Sequence, residues 1–137
     1  MAGDTVNFRV VRVASVDYDF SAGAAVVHLR EAEAPGRSLW LPVALPDATA
    51  IFQASQRIVG RRPTSSELTA TLLRELQADI IAARIVRVDG GVYYAELDVM
   101  STRGRRVLDC RPSDAITLAL RQIVPAPLLV AETILAG

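Results

Sequence analysis

The sequence predicts one α+β domain over residues 1–137, built on a mixed, mainly antiparallel sheet with three main helices. Three observations predict this class. Strand-like and helix-like runs are intermingled without regular βαβ alternation. The segment Asp89-Gly90-Gly91 joins two strand-like runs as a tight hairpin turn would. The length is the usual size of a single domain, and no repeat or long linker divides the chain.

The first part of the chain predicts three strands, which we expect to form a meander. They cover residues 8–15, 24–31 and 38–45. Each run is rich in valine, leucine or phenylalanine and is bounded by glycine, proline or serine, a composition typical of strands between turns.

Two helices are predicted after the third strand. The first covers residues 47–58, where apolar residues recur at helical spacing and Pro46 precedes them. The second begins at Thr64, because Thr64 and Glu67 have the spacing of a capping box, in which hydroxyl and carboxylate each satisfy a backbone donor. The expected apolar faces are Ala50, Ile51, Ala54 and Ile58 in the first helix and Leu68, Leu72, Leu73 and Leu76 in the second.

The second half of the chain predicts a hairpin, a further strand and a third helix. The Gly-Gly turn can adopt the positive φ that a tight hairpin needs. Pro125 and Pro127 end the third helix. The predicted elements are strands at residues 80–88, 92–100 and 106–110, a helix from 113 to about 122, a short strand at 128–130 and a helical turn at 132–135.

The composition is unusually apolar. Hydrophobic residues make up 51% of the chain and the mean hydropathy is +0.30. We therefore expect a homo-oligomer that covers part of the apolar surface. No stretch reaches the roughly 18 uninterrupted apolar residues of a membrane span, and Asp4 stands where a secretory signal would carry basic residues. We expect no membrane partner and a cytoplasmic location.

The charged residues and the cysteine exclude several classes of function. Formal net charge is zero, so any nucleic-acid site must be local. All fifteen basic residues are arginine, which excludes lysine Schiff-base chemistry and lysine-dependent phosphate loops. This usage is typical of a GC-rich genome, although arginine also offers a bidentate fork for phosphate. Cys110 is the only cysteine, so one chain builds no disulfide, and we expect the thiol reduced in the core.

The segment from Asp109 to Arg121 reads Asp-Cys-Arg-Pro-Ser-Asp-Ala-Ile-Thr-Leu-Ala-Leu-Arg. It resembles the signature of the bifunctional nuclease family, in which a strand delivers an Arg-Pro-Ser-Asp-Ala start to an apolar helix. Further matches, in consistent order, extend the resemblance over nearly the whole chain. They are Leu29-Arg30-Glu31-Ala32, Leu41-Pro42, Arg62-Pro63, Tyr94-Ala95-Glu96-Leu97 and Val130-Ala131-Glu132.

The resemblance implies a compact, dimeric α+β domain in a family named for nuclease activity on both DNA and RNA. Two segments depart from the family pattern. Ser65-Ser66-Glu67 stands where members commonly carry Thr-His-Asp, so Ser66 replaces the usual imidazole. Leu45-Pro46-Asp47 is a shortened form of the segment in which a glycine and a glutamate typically follow the third strand.

The start of the third helix carries the candidate catalytic residues. Phosphodiester hydrolysis needs an activated water, charge stabilisation on the phosphate and often Mg²⁺ held by carboxylates. A strand-to-helix junction also exposes backbone N–H groups that can receive an anion. Arg111 would clamp phosphate and Ser113 would orient one oxygen. Asp109 and Asp114 would hold water or a metal such as Mg²⁺.

A structural interpretation of the same residues stays open. Ser113 is a preferred helix N-cap, and Asp114 is favourable beside the positive end of the helix dipole. Arg111 can simply pair with Asp109 or with Glu31. In that case the segment starts a helix and performs no chemistry.

Other residues can join a nucleic-acid site. Glu31 is a further catalytic candidate and Arg30 a substrate-binding one, because both lie at the end of the second strand, yet an ordinary ion pair explains them equally well. Arg62, next to Arg61, can contact a phosphate backbone or line a solvated turn. His28 has a suitable intrinsic pKa near 6.5, but its apolar strand favours a half-buried packing role.

Two functions follow from these patterns. The first is a nuclease that hydrolyses DNA or RNA at the segment from Asp109 to Asp114. The second is a non-catalytic, dimeric binding or regulatory module of the same fold, favoured by the missing imidazole and the neutral net charge. A more remote third is a small-molecule domain with its site at a dimer interface, suggested by the apolar content alone.

Overall fold

The computed structural model describes residues 6–136, which form a seven-stranded mixed sheet and three α-helices. The elements in chain order are β1 (Phe8–Asp19), β2 (Ala24–Glu31), β3 (Ser38–Ala44), α1 (Leu45–Ser55), α2 (Ser65–Glu75), β4 (Asp79–Asp89), β5 (Val92–Ser101), β6 (Gly104–Cys110), α3 (Pro112–Leu120), β7 (Leu128–Ala131) and a closing 3₁₀ turn (Glu132–Ile134). The strand order is β3-β2-β1-β7-β4-β5-β6. All neighbours are antiparallel except β4 and β7, which confirms the predicted α+β class.

The first three strands form the predicted meander. Ala24, at the start of β2, lies opposite Asp19 of β1 and Ala44 of β3. Arg30, near the end of β2, lies opposite Ser38. At the usual rise per residue these two ends of the meander are about 20 Å apart. Side chains attached to opposite ends therefore cannot share one small site.

The predicted hairpin is confirmed in β4 and β5. Its turn contains Gly90 and Gly91, whose φ angles of 58° and 80° are the positive values expected of a tight turn. Ala95 and Leu97 of β5 are buried, whereas the alternate residue Glu96 is partly exposed. β6 then pairs with the other side of β5 and forms one edge of the sheet.

The short strand β7 lies in the middle of the sheet. Leu128 pairs with Val11 of β1 on one side and with Ala83 of β4 on the other. The side chains of Leu128 and Val130 are buried in the core. β7 thus joins the meander to the hairpin, so a four-residue strand connects the two halves of one sheet.

The first and third helices cover the core. α1 packs against α3 and against the meander, and its buried residues are Ala48, Ile51 and Ala54. The predicted inward positions of Ile51 and Ala54 are confirmed, whereas Ile58 lies beyond the helix and is 42% exposed. Within the described residues, none of the helices combines the length and apolarity that crossing a membrane requires.

The second helix contradicts part of its prediction. The Thr64 N-cap is confirmed, since its Oγ1 accepts the N–H of Glu67 at 3.3 Å. The predicted burial of the leucine face is wrong, because Ala70 is the buried residue of α2 and only Leu73 of the predicted set packs against the core. α2 lies at the periphery, so its remaining leucines face outward. These are Leu68, Leu72 and Leu76.

Candidate functional site

The start of α3 positions Arg111 at the end of β6. Arg111 itself is the N-cap residue, in an extended conformation with φ −72° and ψ 147°. Pro112 occupies the first helical position, where its missing N–H costs nothing. Ser113 therefore lies inside the helix and is buried, and the prediction that Ser113 is the N-cap is wrong. Proline at this position moves the start of the helix one residue earlier than the serine pattern suggests.

The Arg111 guanidinium binds two aspartates, and these three residues are called the Arg111 cluster. Its Nε and Nη2 donate to the Asp114 carboxylate at 2.9 and 3.1 Å. Its Nη1 and Nη2 donate to Asp47, in the first turn of α1, at 3.1 and 3.2 Å. Neither of the partners expected from the sequence, Asp109 and Glu31, is the one observed. Both contacts are bidentate, the geometry that orients an arginine side chain most firmly.

The Arg111 cluster lies at the surface. The side chains of Arg111, Asp114 and Asp47 are 62%, 51% and 24% exposed. The neighbouring carboxylates of Asp114 and Asp47 raise the pKa of Arg111 above its already high value. The guanidinium is therefore permanently charged and accessible, and a dissolved anion can compete with the more exposed Asp114 for it.

An open cleft of about 720 Å³ adjoins the cluster, and we call it the helix cleft. It lies where the first turns of α1, α2 and α3 converge, which brings Asp47, Ser66 and Asp114 to a common space. Backbone N–H groups and the positive ends of helix dipoles favour anions at such a place. Six hydroxyl side chains besides Ser66 line the cleft: Thr49, Thr64, Ser65, Thr69, Ser113 and Thr117.

A second hollow of about 410 Å³, the hairpin hollow, also adjoins the cluster. Asp47 and Ser113 line both spaces, and Arg111 lines the hairpin hollow. In contrast to the hydroxyl-rich helix cleft, its remaining wall is largely apolar. That wall includes Tyr93 and Val92 of the hairpin, Pro42 and Val43 of β3, and Pro112. Arg111 therefore lines the apolar hollow, while the two aspartates that it binds, Asp47 and Asp114, line the polar cleft.

Glu31 lies in a different place, in a group called the Glu31 cluster. Its carboxylate accepts from Arg9 Nε at 2.7 Å and from the Nε and the backbone N–H of Arg37 at 2.6 and 2.9 Å. Arg37 also donates to Glu132 at 3.0 Å. The Glu31 side chain is fully buried, whereas the neighbouring Arg30 is exposed. Glu31 and Arg30 lie at the end of the meander far from Asp47.

The arginines determine the protonation state of Glu31. Hydrogen bonds from Arg37, assisted by Arg9, outweigh burial and lower the pKa of Glu31 from 4.5 to about 2. The carboxylate is therefore ionised and fully occupied at neutral pH. This is the environment of a structural ion cluster rather than of a free general base.

Asp109 lies outside the Arg111 cluster. Asp109 is exposed on β6 and lies opposite Glu96 of β5. Both side chains lie on the sheet face opposite to that of buried Ala95. Next to it, burial together with the carboxylates of Asp114 and Asp109 raises the pKa of the Cys110 thiol to about 11. That thiol is partly buried and is protonated at neutral pH, so it is a poor nucleophile.

His28 and Arg62 are also outside the cluster. His28 stacks on Trp40 with ring centroids 3.8 Å apart, and its Nε2 lies 2.7 Å from the Ser38 hydroxyl. These contacts match the predicted half-buried packing position. Arg62 is exposed just before the N-cap Thr64 of α2, a residue that lines the helix cleft.

A protein-family model described as the bifunctional nuclease domain matches residues 27–137. The chain belongs to this family. Two uncharacterized proteins of Mycobacterium tuberculosis, from strains CDC 1551 / Oshkosh and ATCC 25618 / H37Rv, are each 32% identical to it over 126 residues. The matched region covers 92% of this chain and 73% of each relative. The resemblance noted in the Arg-Pro-Ser-Asp segment is thereby confirmed.

Asp47 is the residue of this bifunctional nuclease domain that sequence reasoning missed. It is 64 positions from Arg111, so no local spacing connects the two. An acid directly after Pro46, in the first turn of a helix, is adequately explained by the helix dipole. The position of Asp47 in the shortened segment after β3, where the family pattern carries a glutamate, could have indicated that it belongs to the site.

Mg²⁺ does not fit the Arg111 cluster. Both carboxylates already bind the guanidinium, whose fixed positive charge occupies the space between them. Across residues 6–136 there is no group of three His, Cys, Asp or Glu side chains able to hold a metal ion. The residues at this site instead provide one arginine, two carboxylates and a set of hydroxyls.

Proposed function

We propose that this bifunctional nuclease domain binds single-stranded nucleic acid across the Arg111 cluster and hydrolyses a phosphodiester bond there. The observation that carries the proposal is that the exposed Arg111 fork lines the hairpin hollow, while the aspartates it binds line the adjoining helix cleft. A nucleic acid alternates charged phosphates with apolar bases. The site offers the matching alternation of a cation, polar donors and an apolar wall that includes the ring of Tyr93.

Phosphate binding begins by exchange at the guanidinium. Arg111 already holds two oxygens of Asp114 in bidentate geometry, and a phosphodiester presents two oxygens of similar arrangement. Because Asp114 is more exposed than Asp47, the phosphate displaces Asp114 while Asp47 keeps Arg111 in place. The hydroxyls and helix N-termini of the cleft then receive the remaining phosphate oxygens.

The displaced Asp114 carboxylate supplies the base for hydrolysis. It accepts a proton from a water molecule, whose oxygen forms a bond to phosphorus. The bond from phosphorus to one ester oxygen breaks, and that oxygen leaves with a proton from solvent. Arg111 stabilises the negative charge that grows on the phosphate in the transition state. Tyr93, partly buried in the hairpin hollow, supports the adjacent base by stacking.

The test is cleavage of labelled single-stranded RNA and DNA by the wild type and by variants Arg111→Lys and Asp114→Asn, each with Mg²⁺ and with EDTA. Arg111→Lys replaces the planar guanidinium by an ammonium group that cannot bind phosphate in bidentate geometry, and it is expected to lower the cleavage rate about 100-fold or more. Asp114→Asn removes the base and is expected to have a similar effect. Melting temperatures of both variants should stay near that of the wild type, since the side chains are exposed.

Matched controls are Arg103→Lys and Asp79→Asn. Arg103 lies in the turn between β5 and β6. Asp79 lies opposite Met100, at the end of the hairpin away from the glycine turn. Both residues are far from the start of α3, which follows the end of β6 opposite Ala95. Both controls should cleave at the wild-type rate. Equal loss in the controls, or equal cleavage by all five proteins, would refute the assignment of the site.

The second candidate function is a binding module without hydrolysis. It is favoured by the occupancy of both carboxylates by Arg111 and by Ser66 in place of an imidazole in the helix cleft. Its signature is wild-type protein that binds labelled RNA without cutting it, with binding weakened by Arg111→Lys but not by Arg103→Lys. Absence of both binding and cleavage would exclude a nucleic-acid role for the cluster.

A further inference from the structure

The two edges of the sheet differ in their protection against pairing. β3 carries Pro42 next to its central residue, and a proline cannot donate a hydrogen bond to another strand. β6 is regular over seven residues, with no proline and no register shift against β5. Its outer side pairs with no strand within residues 6–136. An unprotected edge of this kind is a template for a further strand.

The side chains of β6 also expose apolar surface. Val107 is 47% exposed and Leu108 is 50% exposed, on opposite faces of the sheet. Val107 shares a face with Asp98, its partner on β5, and Leu108 shares a face with Leu97. Since both sides of the edge are apolar at its centre, a strand added here would bury side chains on both faces.

Two of the three charged residues of β6, Arg105 and Asp109, lie symmetrically about Val107, whereas Arg106 lies on the other face. Arg105 lies two positions before it and Asp109 two positions after it, so all three side chains share one face. Asp109 stands opposite Glu96, a like charge, and none of the ion pairs in the described part of the chain includes it. Arg105 binds Asp98 through Nε and Nη2 but is 57% exposed. The open edge therefore carries one exposed acid outside the described ion pairs and one exposed base that already binds Asp98.

From this arrangement we infer that β6 pairs antiparallel with β6 of a second copy of the chain, with Val107 on the two-fold axis. Directly opposed residues of antiparallel strands share a face, so Arg105 of each copy then faces Asp109 of the other. Two intermolecular ion pairs flank a Val107–Val107 contact. The arginine of the second copy also relieves the repulsion between Asp109 and Glu96. The two sheets become one continuous sheet, and the outer edge of β6 is covered in both copies.

The test uses opposite charges at the two-fold position. Val107→Lys and Val107→Asp each place like charges against each other across the axis. Each variant alone is expected to dissociate at least about 100-fold more readily than the wild type. An equimolar mixture of the two should recover a heterodimer. Sedimentation velocity on each protein and on the mixture measures this, with Val10→Lys as control because Val10 is 49% exposed on an interior strand.

A second variant distinguishes loss of dimerisation from misfolding. Asp109→Arg removes a like-charge contact with Glu96, so its melting temperature should equal or exceed that of the wild type at concentrations where both proteins are monomeric. In the dimer the new arginine faces Arg105 of the second copy, which should weaken dimerisation about tenfold or more. A monomeric wild type at tens of micromolar would overturn the inference, as would a dimer that survives Val107→Lys and Asp109→Arg. Failure of the mixture to form heterodimers would overturn the two-fold position of Val107.

Discussion

The Glu31 cluster and the Arg111 cluster are both built from ion pairs between arginine and carboxylate side chains, but the ratio of arginines to central carboxylates is reversed. In the first, one buried glutamate lies between Arg9 and Arg37. In the second, one exposed arginine lies between Asp47 and Asp114. Both join segments that are distant in the sequence, and both have distances close to 3 Å. Their residue types alone do not distinguish them.

Burial is what separates the two clusters. Removing one partner of a buried ion cluster leaves uncompensated charge away from water, which is strongly destabilising. Exposed ion pairs contribute little to stability, since water and salt screen them. The Glu31 cluster therefore supports the fold where β1, β2 and the closing turn meet. The Arg111 cluster can exchange its partners at small cost, as a binding site requires.

The largest expected effect follows from Glu31→Gln. The amide keeps the shape of the side chain but removes the charge that compensates Arg9 and Arg37, so the melting temperature should fall by about 10 °C or more. Glu132→Gln is the matched control, because the Glu132 side chain is 41% exposed and Arg37 is its one ion-pair partner within residues 6–136. Thermal unfolding followed by circular dichroism measures both. Equal, small shifts would show that the Glu31 cluster is no more structural than a surface pair.

The same carboxylate predicts an acid-dependent loss of stability. The pKa of Glu31 is 4.5 when unperturbed and about 2 in the fold, so its contribution is fully present above pH 4.5 and is lost as the pH falls toward about 2. The difference in unfolding free energy between wild type and Glu31→Gln should shrink across that window. Denaturant titrations at several pH values measure it. A difference that stays constant from neutral pH to about 2 would contradict the lowered pKa.

The smallest stability effect is expected for Arg111→Ala. Loss of two exposed ion pairs should lower the free energy of unfolding by at most about 2 kcal/mol. The effect should decrease when salt is raised from about 0.05 M to about 1 M, whereas that of Glu31→Gln should persist because the buried cluster is screened less. Denaturant titrations at both salt concentrations make the comparison. A large, salt-independent loss for Arg111→Ala would assign that cluster a structural role as well.

Local patterns predicted most elements because local physics determines them. The Gly90-Gly91 turn and the Thr64 cap each depend on a few adjacent residues, and each was predicted from them. The start of α3 was predicted one residue late, because Pro112 at the first helical position competes with the capping preference of Ser113. The leucines of α2 have a helical period, but periodicity does not say whether another element covers that face.

The sequence by itself determined the fold class, the family and the presence of an arginine and acids at the start of α3. Only the tertiary structure decided which acids meet that arginine. The insertion of β7 between β1 and β4 joins the two halves of the sheet, and the packing of α1 on α3 brings Asp47 to Arg111. The same pairing of strands places Glu31 at the far end of the meander. Contacts between distant segments depend on how whole elements pack, and no local spacing encodes that.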